Sequence, residues 1–466
     1  MTMESAIAVN RFGLGARPGE LARIDNARQW LTDQLRAGPP TVADTSLKSS
    51  LDILAGAAEL TGDRQQLEGD AAAAQRARQQ LLAMKLPRYF RPYYVADARA
   101  RIQQAVQTDQ PFLERLVHFW SNHFAVSVDK IAVLGLAGCM EREAIRPHVL
   151  GRFHDLLLAV EKHPAMLQFL DNQRSIGPAS PLARRPALRQ RDLGLNENLA
   201  REILELHTLG VDGGYSQADV TSFAKVITGW SISGARGALG RLDDGIAPGQ
   251  FMFRDNVHEP GAQTVLGRRY AQSGIAQGEA VLADLAASPQ TARHLATKLA
   301  RHFIADEPPA TVVTRLTDAY LRHDGDLSSV YRVLIEAPEG WRAEALKYKT
   351  PNDYLLSMYR GLQLPVPEGQ RALASLRLLG QQPFLPGSPA GWPDRSADWD
   401  GSAALMKRIE FANSVAQGFG HRDAVALAEQ LLGDTLTAAT RTAVARAESA
   451  TQALILLLTA PEFLRR

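Results

Sequence analysis

Cysteine is all but missing from this chain: among 466 residues, Cys139 is the only one. An intramolecular disulfide and a multi-cysteine zinc site are both excluded. Cys139 itself stands in the apolar run Val133-Leu134-Gly135-Leu136-Ala137-Gly138-Cys139-Met140, where it reads as a small buried hydrophobe. Long hydrophobic runs are missing too. No window approaches the roughly eighteen apolar residues of a membrane-crossing helix, so no membrane span is expected. Nor is there an excess of charge. The 52 basic and 50 acidic residues leave a net charge of +2, which removes any bulk electrostatic case for nucleic acid. The opening Met1–Asn10 has no basic region, no long apolar stretch and no twin arginine. A cytoplasmic chain is therefore expected, with a periplasmic location by co-export with a partner as the alternative. Strand and helix patterns nowhere alternate, which argues against a Rossmann-type sheet, and no Gly-x-Ser-x-Gly elbow is present.

What is there is a soluble globular composition, 45% hydrophobic and 22% charged, patterned for helices nearly throughout. Helices are predicted over Gly19–Leu35, Arg64–Leu86 (ended by Pro87), Tyr94–Val106, Phe112–Phe124, Arg142–Val149, Phe153–Val160 and Pro164–Leu170. Ser216 with Asp219 reads as a capping box opening a helix through Val226. Helices resume over Gly274–Phe303, Pro309–Arg322, Leu327–Glu336, Asn352–Leu362 and Ala403–Leu464. Two stretches, about 234–267 and 380–400, are rich in Gly, Asp, Pro and Trp and lack helical periodicity. Long loops of this kind are more often functional than idle, and both are expected to wall a cleft. The fold class is thus mainly α: a single multi-helical domain over residues 1–466 with two long irregular loops and at most a small β-hairpin.

The densest chemistry lies in Glu197-Asn198-Leu199-Ala200-Arg201-Glu202-Ile203-Leu204-Glu205-Leu206-His207-Thr208-Leu209, which stops at Gly210. At roughly 100° per residue, Asn198, Arg201, Glu202 and Glu205 share about a 100° arc of one helix face. Apolar Leu199, Ile203, Leu206 and Leu204 flank that arc. A polar stripe hemmed in by core positions is costly unless its members satisfy each other or hold a ligand. Glu202, Glu205 and His207 could furnish ligands for a divalent metal, although His207 lies roughly 160° from Glu205 on an ideal helix. It joins them only if the helix ends or unwinds near Thr208. Arg201 offers a different use, keeping the two carboxylates ionised and satisfied.

A second cluster is His118-Phe119-Trp120-Ser121-Asn122-His123-Phe124, in which Glu114, His118 and Asn122 step by four along one face. A third is His258-Glu259-Pro260-Gly261 on the first long loop, where a histidine before a turn can be aimed into a cleft. Gly13-Leu14-Gly15-Ala16-Arg17-Pro18-Gly19 imitates a phosphate loop only superficially, since no strand precedes it. Arg76, Arg78, Arg88, Arg91, Arg99 and Arg101 alternate with Tyr89, Phe90, Tyr93 and Tyr94. They read as amphipathic helices packing through their aromatics. Arg184, Arg185, Arg189 and Arg191 read as an exposed basic loop.

Taken in order, these motifs resemble the bacterial family catalogued as domain of unknown function 1800, over almost the whole chain. The resemblance rests on Asn10-Arg11-Phe12-Gly13-Leu14-Gly15 with Arg17-Pro18-Gly19, on Trp120-Ser121-Asn122-His123-Phe124 and on Leu170-Asp171-Asn172. It continues through Asn196-Glu197-Asn198, Arg201-Glu202, Glu205-Leu206-His207-Thr208, Gly210-Val211, Thr228-Gly229-Trp230, His258 with Gly261, and Gly391-Trp392-Pro393-Asp394. It implies a largely helical fold but no activity, because the family has none established. It also implies a partner: members are often encoded beside a sulfatase-like family, domain of unknown function 1501, and many carry export signals. Asn122 and His123 match the family pattern and His118 does not.

Two functions follow as expectations. One is a hydrolase-like or metal-assisted enzyme. Its catalytic residues would be His123, Glu202, Glu205 and His207, and its substrate would be held by Asn122, Asn198, Arg201 and His258. A divalent metal on Glu202, Glu205 and His207 would be its cofactor. The other is a non-catalytic partner or assembly factor for an exported protein, with the same polar residues forming a buried structural network.

Overall fold

In the computed structural model, residues 2–62, 71–185, 194–234, 246–419 and 422–466 are described. The expected helix start at Arg64, Arg189 and Arg191 of the basic loop, and the middle of the 234–267 stretch lie outside them. The elements that position the site are helices α1 (Ala71–Gln107), α2 (Pro111–His123), α3 (Phe153–Glu161) and α4 (Asn198–Glu202), followed by a π turn over Ile203–His207. After them come α5 (Gln217–Val226), strands β1 (Trp230–Ile232), β2 (Phe251–Phe253), β3 (Gln263–Val265) and β4 (Arg268–Tyr270), then α6 (Pro289–Phe303), α7 (Pro351–Gly361) and α8 (Ser402–Phe419). The fold is mainly α. Its strands form two short antiparallel pairs, β1–β2 and β3–β4, one pair more than the expected hairpin. Among the described residues, no helix is long and apolar enough to cross a membrane.

The core is built around aromatic rings from segments distant in sequence. Phe12 stacks on Trp341 at 5.1 Å and on Phe303 of α6 at 5.9 Å, and meets Phe112 of α2 edge-on at 6.1 Å. Trp120, fully buried, donates Nε1–H to the Tyr331 hydroxyl at 2.6 Å. Burying such rings gives large apolar stabilisation, provided that the polar edge finds a partner. Cys139 is buried as expected, and burial pushes its thiol up.

Several predicted boundaries move. Pro87 does not end a helix: α1 runs on through Pro87 and Pro92. Internal prolines cost a helix ~3 kcal/mol each, and here tertiary packing offsets them. Phe90, Tyr94, Ala98 and Ile102 step by four down one buried face, and the Tyr94 hydroxyl donates to the Pro383 carbonyl at 3.0 Å. The aromatics of this segment are thereby turned inward, as the sequence pattern suggests. The expected Gly19–Leu35 helix is divided at Asn26, whose side chain caps Ala27–Arg36, while an unforeseen helix, Met3–Ile7, continues as a π turn through Phe12. The Ser216–Asp219 capping box is formed as read.

Buried arginines tie these segments together. Arg360 of α7 donates to the carbonyls of Gly15 at 2.8 Å and of Ala105 and Thr108, both at 3.1 Å, and pairs with Glu20 at 3.3 Å. One side chain thus closes the N-terminal segment onto the end of α1. Removing one partner of a buried ion pair costs about 3–5 kcal/mol. Arg360→Ala is therefore expected to lower the free energy of unfolding by that amount in urea titration, and a loss of under about 1 kcal/mol would contradict this role.

Candidate functional site

Helix α2 starts on Pro111, a favourable first helical residue, and is buried on most of its surface. Its polar side chains must therefore be matched. Glu114, fully buried, is gripped by Arg146 at 2.8 and 2.6 Å. Burial alone would raise its carboxyl, but the Arg146 guanidinium overrides that and holds it low. Arg115 pairs with Asp353 of α7 at 3.1 Å. Asn122 makes a two-way contact with one backbone position, its Oδ1 accepting from Trp392 N at 2.7 Å and its Nδ2 donating to Trp392 O at 2.9 Å. Next to it Gly391 has φ +82°, and a Cβ there would lie 2.3 Å from the Asn122 carbonyl oxygen. Glycine is required by the close approach. The motifs around Asn122 and Gly391 are thus two sides of one contact.

This contact holds the 380–400 stretch over a cleft of about 320 Å³. One wall is the end of α2, with His118, Phe119 and His123; the opposite wall carries Phe384, Trp392 and Asp394. Lys298 and His302 of α6 and Asn352 and Asp353 of α7 complete the lining. The other long loop, in its described part, does not line this cleft, contrary to expectation. Its strand β3 instead packs beside α5, where Leu266 N donates to Asp219 at 2.7 Å.

His123 is almost sealed. Its Nε2–H donates to the His207 carbonyl at 3.1 Å and its Nδ1 has no partner. Burial, with Lys298 and other imidazoles nearby, holds it well below the usual histidine range, so the ring is neutral. His302 is held at about 4 by burial despite Asp394, whose Oδ1 lies 3.2 Å from Nδ1; its Nε2 has no partner. His118, lowered by burial and then by Arg101, meets Asn352 through Nδ1 at 3.3 Å, and its Nε2 lies 3.6 Å from the buried Glu114 carboxylate. His294, beside His123 at 6.2 Å between ring centres, is held at about 4, again chiefly by burial. Lys298 is lowered to about 8 by loss of hydration.

The opening helix of the central string does not stay ideal. After α4 it widens into a π turn over Ile203–His207, an i→i+5 geometry frequent at functional sites. His207 is thereby swung inward. Its Nδ1 meets Glu161, the last residue of α3, at 2.7 Å in a fully buried pair. His207 Nε2 and Glu161 Oε2 have no partner. The carboxylates expected beside His207 stay near the surface. Glu202 is half-buried with its carboxyl raised by burial, and Glu205 accepts from the Tyr215 hydroxyl at 3.2 Å. Arg201 does not satisfy either one; it pairs with Glu197 at 3.1 Å and reaches Gln217 at 3.0 Å. Asn198 is exposed. His258 is buried elsewhere, with Nδ1 2.9 Å from the Thr228 carbonyl.

The eight residues read as one site are therefore not gathered in one place. Asn122 and His123 line the cleft, and His207 sits behind His123 through their shared hydrogen bond. Asn198, Arg201, Glu202 and Glu205 lie along the α4 face, and His258 anchors a loop. Among the described residues, no group of three or more His, Cys, Asp or Glu is placed to hold a metal ion. Of the expected ligand set, His207 turns its Nδ1 to Glu161, while Glu202 stays near enough for the His207 imidazole to lower its carboxyl against the effect of burial. Sequence reasoning missed Glu161 and the α6 residues. The latter had a signal: His294, Lys298 and His302 step by four along one helix face.

Four imidazoles held low have a thermodynamic consequence. Between about pH 6.5, where histidine titrates in the unfolded chain, and about pH 4, where His294 and His302 titrate in the folded one, the unfolded state binds more protons. Stability rises with pH in that window. Asp97, raised by burial to about 6, and Glu202 oppose this, as two carboxyls against four imidazoles. The midpoint of thermal unfolding is thus expected to fall steadily from pH 7 to pH 5. A midpoint that holds or rises on acidification would contradict neutral burial of these rings.

No curated protein and no solved structure matches the chain. The family described as "Protein of unknown function (DUF1800)" does match, over residues 7–465. The match is nearly full length, and the chain belongs to that family.

Proposed function

We propose that the chain is a hydrolase-like enzyme working by general acid–base chemistry in the cleft between α2 and the 380–400 segment. The observation that carries this reading is the pair of neutral imidazoles on that cleft, His123 and His302, each with a ring nitrogen lacking a hydrogen-bond partner. Buried polar groups in a purely structural network are normally satisfied. A general base must be unprotonated at working pH, and these rings are.

His123 is the base in this reading. The His207 carbonyl fixes its Nε2–H tautomer and leaves the Nδ1 lone pair free. Asn122 holds the opposing wall by its bonds to Trp392. Glu161 and His207 are positioning residues acting through that backbone carbonyl. Glu202 and Glu205, farther from the cleft, take no direct part. Among the described residues, the placement of donors gives a metal-assisted mechanism no support.

The partner-binding alternative has one observation in its favour, the exposed apolar side chains of Leu405, Met406 and Ile409 on α8. Nothing about that face selects a sulfatase-like partner.

The test is a screen of the purified protein against ester, amide, phosphoester, sulfate-ester and glycoside substrates. His123→Ala is expected to lower the activity found by about 100-fold or more, with an acid limb of the pH profile well below the usual histidine value. Glu205→Gln should leave it nearly unchanged. An activity that survives His123→Ala would overturn the assignment.

A further inference from the structure

The charges around the cleft do not balance. Arg115 and Arg466 both lean on the single carboxylate of Asp353, at 3.1 and 2.9 Å. Lys349 and Arg408, each 1% exposed, have no ion-pair partner among the described residues. Lys349 lies over the Phe463 ring at 4.5 Å, and Arg408 lies over Tyr348 at 4.3 Å and donates to the Lys349 carbonyl at 2.6 Å. Three buried nitrogens still lack an acceptor: Lys349 Nζ, Arg408 Nη1 and Arg466 Nη2. In the cleft itself Lys298 makes no hydrogen bond or ion pair among the described residues, and feels Asp394 only through space.

Buried positive charge without a counter-charge is costly. Part of that cost is relieved by proton loss, since burial brings Lys349 down to about 7 and Lys298 to about 8. The remainder makes a positive field. A low-dielectric cleft focuses it on whatever enters. Phe119, Phe384 and Trp392 supply apolar and aromatic surface on the same lining, and the volume of about 320 Å³ suits a small organic molecule.

We infer that the cleft selects small organic anions, an apolar or aryl body bearing a carboxylate, phosphate or sulfate group. The body rests on Phe119, Phe384 and Trp392. The charge meets Lys298, backed by the unneutralised cations behind Asp353. This rests on the choice of cleft made above but not on any turnover there.

Titration calorimetry with benzoate, phenyl phosphate and phenyl sulfate tests it, with benzyl alcohol as the neutral control. The anions are expected to bind, more weakly as salt is added, and benzyl alcohol not to. The ranking of the three separates carboxylate from phosphate and sulfate recognition. Lys298→Gln, a change on the cleft surface, should weaken anion binding by about tenfold or more. Lys349→Met should weaken it in protein that circular dichroism shows to be folded. Equal binding of benzyl alcohol and the anions, or anion affinity unchanged in Lys298→Gln, overturns the inference. Anion binding without any hydrolytic activity leaves it standing while the hydrolase reading falls. His123-dependent turnover of neutral substrates alone does the reverse.

Discussion

Helix α2 has almost no free surface, and the rest of the architecture follows from what its polar side chains require. A helix packed on most sides must find a partner for each polar group or carry the cost of desolvating it. Glu114 obtains Arg146, Arg115 obtains Asp353, and Asn122 obtains the backbone of Trp392. These demands draw in other segments of the chain: the short turn Arg146–His148 through Arg146, α7 through Asp353, and the 380–400 stretch through Trp392. The cleft is the space left where matching stops, and His118 and His123 form part of its lining.

The electrostatic character of that space has a single origin. Burial withdraws water from His118, His123, His302, Lys298 and Lys349, and every one of them moves toward its neutral form. The arginines cannot follow, because their protons are held too tightly. A cleft of neutral imidazoles results, with Lys298 still largely protonated at neutral pH and charged guanidinium groups around it. The Glu161–His207 pair stands behind it, joined to His123 by one backbone carbonyl.

Helical content, the capping box at Ser216, the buried Cys139 and the 380–400 stretch as one wall of a cleft were all legible in the residues. The first three depend on local spacing and hydrophobicity alone. Pro87 was misread because its penalty is local while the burial of Phe90, Tyr94, Ala98 and Ile102 that outweighs it is tertiary. Ideal helical geometry sets His207 roughly 160° from Glu205, and the π turn over Ile203–His207 decides instead that it meets Glu161. Arg201 was given to Glu202 and Glu205 on angular grounds, but its long side chain reaches back to Glu197.

By itself the sequence determined a mainly helical chain and the family it belongs to. Periodicity and composition suffice for these, since each is a property of neighbouring residues. Only the tertiary structure decided which motifs share a site. Asn122 meets Trp392 across 270 positions of chain, His123 meets His207 across 84, and Glu161, unremarkable in sequence, becomes the partner of His207 across 46. Contacts at such separations are set by how the core closes, and the neutrality of the cleft's histidines follows only once that core has excluded water.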